Sequence, residues 1–196
     1  MNVKHSLLAA ALFAAALPLA VQAESNTVSS GNATARLDFQ ITVPRILMLR
    51  VGTDDNVVNL IDFNVTAAQL QTLGTPVAAT AASGNVGNGT VTATVKGNNG
   101  QISLRADSVG ALSNGSGDSI SYGQITTTSS APAALPAPVL ADGTGTAVNV
   151  PLSSGKITNA TAQWTYSYKN DAMVAPGTYG GVNTKNSRVT YTASMP

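Results

Sequence analysis

Between residues 35 and 43 the chain alternates without a break. Ala35, Leu37, Phe39, Ile41 and Val43 fall on one face, and Arg36, Asp38, Gln40 and Thr42 on the other. A period of two marks a strand that buries one side. Pro44 interrupts the run, because proline has no N–H to give a sheet ladder, and residues 46–49 then continue apolar on both faces. Residues 57–65 repeat the pattern, with Val57, Asn59, Ile61, Phe63 and Val65 opposite Val58, Leu60, Asp62 and Asn64. In 90–107, Val91, Ala93 and Val95 precede Gly97-Asn-Asn-Gly100, and Ile102, Leu104 and Ala106 follow it. Turn residues between two alternating runs predict a β-hairpin.

Further strands are expected over 119–128, 148–152, 162–168 and 188–195, and one helical turn over 66–73, ended by Gly74 and Pro76. Prolines at 132, 136 and 138 predict an exposed extended loop over 129–145. Roughly eight short antiparallel strands with hardly a helix predict an all-β, two-sheet sandwich.

The first 23 residues stand outside that pattern. Lys4 precedes an apolar run over 7–16, and Val21-Gln22-Ala23 sets small residues where a signal peptidase reads, so cleavage before Glu24 is expected. The run is shorter than the roughly 20 residues that span a bilayer. The expected organisation is a signal peptide at 1–23, a flexible polar leader at 24–34 and a single β-sandwich domain at 35–196. Export leads to the periplasm, the cell surface or the medium.

Without Lys4, nine basic residues balance nine acidic ones, which removes the electrostatic case for nucleic acid or an anionic membrane. With no cysteine, stability rests on packing and strand pairing.

Candidate chemistry is sparse. The only histidine, His5, and the only glutamate, Glu24, lie in the signal peptide and the leader. The remaining chain lacks the commonest general base and both principal zinc ligands. Its carboxylates are aspartates in strands and turns, where they serve as turn formers. Asp54-Asp55-Asn56 lacks the spacing of an EF-hand and reads as a solvated turn. No enzyme, catalytic residue, metal site or cofactor is expected. One constellation has two readings: Trp164, Tyr166 and Tyr168 share a strand face. They are either core, or an exposed platform that stacks on sugar rings and makes the protein a monomeric secreted carbohydrate-binding module.

Pro176-Gly-Thr-Tyr-Gly-Gly181, followed by the alternating Val189, Tyr191, Ala193 and Met195, resembles the C-terminal end of bacterial fimbrial (pilin-like) and spore-coat-U-like secreted subunits. The resemblance implies an incomplete immunoglobulin-like sandwich at the bacterial surface with a structural or adhesive role. It also implies a periplasmic chaperone and an outer-membrane assembly protein as partners, and polymerisation with other copies or related subunits. The donated residues would be Ala35, Leu37, Phe39, Ile41 and Val43, with Pro44 as hinge. Val189, Tyr191, Ala193 and Met195 would form one wall of the accepting groove. The usual aromatic next to last is here Met195. Two alternatives remain open: residues 35–43 pair within their own domain, or the chain is a periplasmic β-sandwich protein of another role.

Overall fold

The structure, a computed structural model, describes residues 25–196; the expected signal peptide at 1–23 lies outside them. In chain order the strands are β1 (Leu47–Val51), β2 (Val77–Ala78), β3 (Thr90–Gly97), β4 (Ile102–Asp107), β5 (Leu112–Ser113), β6 (Ser119–Ile120), β7 (Ile125–Ser129), β8 (Val148–Val150), β9 (Thr158–Tyr168) and β10 (Thr190–Ser194). All pairings are antiparallel. The expected helical turn is α1 (Ala67–Leu70), closed by a capping box in which the Thr66 side chain accepts from the Gln69 N–H and Gln69 reaches back to the Thr66 N–H.

Two sheets carry the architecture, as an all-β sandwich requires. In the larger, β1 pairs β3 and β3 pairs β9; β2 continues on that edge of β9, and β7 occupies the other edge. In the smaller, β4 lies between β10 and β8. β5 and β6 form a separate ribbon. The buried core draws on both sheets: Val91, Ala93 and Val95 of β3 and Ala160, Ala162 and Trp164 of β9 on one side, Ile102, Leu104 and Ala106 of β4 and Val150 of β8 on the other.

β3 and β4 are not the hairpin that the local pattern predicts. They belong to different sheets, and Gly97-Asn-Asn-Gly100 arches from one to the other. Both arrangements require the same alternation. What separates them is the partners: β9 and β1 take the edges of β3, while β8 and β10 take those of β4. The arch is held from outside. Asn98 Nδ2 donates to the Pro44 carbonyl at 2.8 Å, Asn98 Oδ1 accepts from the Ile46 N–H at 2.9 Å, and Asn99 Nδ2 donates to the Pro196 carbonyl at 2.7 Å.

The proline-rich stretch departs from expectation as well. It forms no ladder, yet Leu135, Pro138 and Leu140 are buried. Joining edge strand β7 of one sheet to edge strand β8 of the other, it plugs the side of the sandwich between them. Ser129 Oγ donates to the Leu135 carbonyl at 2.7 Å, and the Ser108 hydroxyl donates to the Ala141 carbonyl at 2.8 Å. Gly145 passes so close to β4 that a Cβ there would stand 2.1 Å from the Ala106 carbonyl oxygen.

Residues 57–65 are extended and alternate in burial, but no ladder contains them. Single bonds hold them instead: Thr80 N–H to the Asp62 carbonyl at 2.8 Å and Gly84 N–H to the Leu60 carbonyl at 3.1 Å. The predicted strand over 119–128 divides into β6, a 3-10 turn (Tyr122–Gln124) and β7.

The largest difference lies at the start. Residues 35–43 form no strand, and Leu37, Phe39, Ile41 and Val43 are 75%, 88%, 86% and 72% exposed. The compact sandwich is Pro44–Pro196, so its boundary falls at the proline and not at Ala35. Alternation specifies a face to bury, and nothing in residues 25–43 buries it.

These placements predict opposite outcomes for two truncations. Leu135→Ala removes a fully buried side chain from the plug and lowers unfolding stability by about 2–5 kcal/mol in urea titration. Phe39→Ala leaves monomer stability within about 0.5 kcal/mol.

Candidate functional site

The sandwich is closed on one side only. Opposite the plugged side, the larger sheet ends in β1 and the smaller in β10, and among the described residues β10 pairs with β4 alone. The two edges meet where β1 begins: a Cβ on Gly97 would lie 3.1 Å from Met195 Sδ and 3.5 Å from the Ile46 carbonyl oxygen. Toward Val51 they part, and a cleft of about 830 Å³ opens. One lip is the extended 58–65 segment, whose Ile61, Phe63 and Val65 are half-buried; the other is Val189 and Tyr191. The floor comprises Val91, Tyr166 and Tyr168 of the larger sheet with Tyr122, Ile125 and Leu140, and residues 174–181 close the end.

Aromatic rings dominate this lining, and all five tyrosines of the chain contribute to it. Tyr166 and Tyr191 reach across from opposite sheets and join hydroxyl to hydroxyl at 2.7 Å. The Tyr122 hydroxyl donates to the Asn186 carbonyl at 2.9 Å, and the Phe63 and Tyr168 rings lie 6.3 Å apart, tilted. Burial pushes the Tyr166 phenol up to about 12, against the opposing pull of its bond to Tyr191. Tyr122 also rises to about 12, through burial and then the charge of Asp142. Tyr191 is held well above 10 by burial and by Tyr166. All three phenols are therefore neutral at physiological pH, and the floor is uncharged.

At the mouth near β1, Arg50 pairs with Asp54 at 2.8 Å and donates to Thr94 Oγ1 at 3.2 Å, with Arg188 nearby, and Asp62 contributes a carboxylate to the lip formed by the extended segment. An elongated apolar cleft beside an unpaired strand edge suits an extended apolar segment: side chains fill the cleft and backbone groups meet the edge. No cluster of three or more metal-binding side chains occurs among the described residues, and none of their helices is long and apolar enough to cross a membrane.

The residues singled out in the sequence divide as follows. Val189 and Tyr191 line the cleft. Ala193 and Met195 share their face but pack against the core where the edges have closed. Trp164, Tyr166 and Tyr168 are 0%, 5% and 6% exposed, so the row is inner-face core and no stacking platform for sugars forms. Its burial follows from pairing: β9 has neighbours on both edges, and this face looks onto the smaller sheet. Ile61, Phe63, Tyr122, Ile125 and the 174–181 loop were not expected at a site. The one signal that could have marked them is aromatic content, since the tyrosines scattered through the sequence converge here. No protein-family model matches the chain, and neither the curated proteins nor the solved structures contain a significant match to it.

The phenols make stability sensitive to alkali. Their folded pKa values lie above the unfolded value of 10.0, so the stabilisation they confer is complete below pH 10 and is lost as the pH rises toward 12. The urea midpoint is expected to fall over that interval, and Tyr166→Phe to flatten the fall.

Proposed function

We propose that this chain is a secreted, pilin-like structural subunit of the bacterial surface that self-associates by β-strand addition. One observation carries the reading. A single chain presents an alternating apolar segment at 35–43 whose Leu37, Phe39, Ile41 and Val43 are exposed, and also an apolar cleft beside the unpaired edge of β10. Each feature alone is a liability, since exposed alternating segments and open strand edges invite aggregation. Together they are complementary halves of one joint.

On this reading the sandwich is immunoglobulin-like with one strand missing, and residues 35–43 of a neighbouring copy complete it. Backbone hydrogen bonds to β10 supply affinity, while Ala35, Leu37, Phe39, Ile41 and Val43 enter the cleft. Pro44 is the hinge, consistent with a unit boundary at that residue. A periplasmic chaperone would shield the cleft before assembly, and an outer-membrane protein would organise the polymer. The burial of Trp164, Tyr166 and Tyr168 disfavours the carbohydrate-binding alternative.

Size-exclusion chromatography of protein spanning 24–196 tests this beside a form that begins at Pro44. The longer form is expected to give ladders that resist SDS, and the shorter to remain monomeric and bind a synthetic 33–43 peptide. A longer form that stays monomeric at all concentrations removes the proposal.

A further inference from the structure

Phe39 stands apart from every other aromatic side chain among the described residues. Phe63 and the five tyrosines line the cleft, and Trp164 is in the core beneath it. Phe39, by contrast, is 88% exposed. An exposed phenyl ring leaves a large apolar surface in water, and unlike its aliphatic neighbours in the segment it can make geometry-specific contacts with other rings.

The shape of the cleft points the same way. The sheet edges are in contact where Gly97, Met195 and Ile46 converge, and the open part of the cleft beyond them is lined by the rings of Phe63, Tyr166, Tyr168 and Tyr191. The apolar face of the segment has its smaller residues, Ala35 and Val43, at the ends and Leu37, Phe39 and Ile41 between them, with the one ring at the centre. A period-two strand enters a cleft equally well in any register shifted by two residues unless one side chain fits one place only.

We infer that Phe39 is the anchor that sets the register of strand addition, seating in the aromatic part of a second copy's cleft over Tyr191 and against Phe63. The inference rests on the strand-addition reading and goes beyond it: the joint selects a strand by its central aromatic residue, not by apolar content alone. Edge-to-face and offset contacts with the lining rings provide that selectivity, which a leucine at the same position lacks. Partners of this cleft are therefore segments with an aromatic residue at the third of five alternating apolar positions. A segment with its aromatic residue two places away binds in a shifted register, with its end residues outside the cleft.

The test keeps composition constant. The full chain carrying both Leu37→Phe and Phe39→Leu has the same residues and the same alternation, and both sites are exposed, so the sandwich folds as before. Its assembly, followed by light scattering against concentration, is expected to need at least about tenfold more protein than the unaltered chain. A second chain, Phe39→Asp, separates the two levels of the argument. If Phe39→Asp blocks assembly while the swapped chain assembles like the unaltered one, the anchor is wrong and strand addition stands. If Phe39→Asp also assembles normally, strand addition itself fails, and the anchor with it. Benzoylphenylalanine at position 39, mixed with a ¹⁵N-labelled copy and irradiated, should attach to labelled tryptic peptides 189–196 or 51–96, which carry Tyr191 and Phe63. Attachment to any other labelled peptide overturns the inference.

Discussion

Trp164 is the contact on which both halves of the sandwich depend. Its fully buried indole lies on the inner face of β9, with the Tyr191 ring of β10 5.5 Å away across the sheet interface and the Leu135 carbonyl at a long 3.5 Å from Nε1. Those neighbours belong to the two opposite sides of the molecule: Leu135 to the plug between β7 and β8, Tyr191 to the open side between β1 and β10. A large ring at the centre sets the spacing of the sheets, and everything else must fill or leave the space that spacing creates.

The two sides resolve this in different ways. Between β7 and β8 the connecting chain has too many prolines for a ladder, but it delivers Leu135, Pro138 and Leu140 into the gap and satisfies its carbonyls with serine hydroxyls. On the open side the chain that lines the gap is residues 57–65, held by the Gly84 N–H at Leu60 and by the Thr80 N–H and Ser83 hydroxyl at Asp62. It joins no ladder, and the Tyr166–Tyr191 hydroxyl bridge lines the cleft left between it and β10. With no cysteine to staple the edges, this side is closed at Met195 and Gly97 by packing and by the hydrogen bonds of Asn98 and Asn99 to Pro44, Ile46 and Pro196.

An open apolar side explains the polar economy of the cleft. The phenols of Tyr166 and Tyr191 are turned toward each other and those of Tyr122 and Tyr179 toward backbone carbonyls, so their hydroxyls are satisfied within the protein. Buried neutral phenols tolerate an apolar neighbour that buried charges would not. The charged Arg50–Asp54 pair is kept at the mouth, where solvent screens it.

The alternation of apolar residues determined by itself that this protein is all-β, and it located β3, β4, β8, β9 and β10 to within a few residues, because a half-buried strand needs a period of two wherever it pairs. The short helical turn α1 was equally legible within residues 66–73, while the capping box of Thr66 and Gln69 that closes it came from the structure. Pairing was not legible. The same pattern serves a hairpin or an arch, so only the competition of β9, β1, β8 and β10 for edges sent β3 and β4 to different sheets. Nor could residues 35–43 announce that they would stay exposed: alternation states that a face is to be buried and is silent on what buries it. The cleft belongs wholly to the tertiary structure. Phe63, Tyr122, Tyr166, Tyr179 and Tyr191 are far apart in sequence, and they meet because two sheets held apart by Trp164 are plugged on one side and left open on the other.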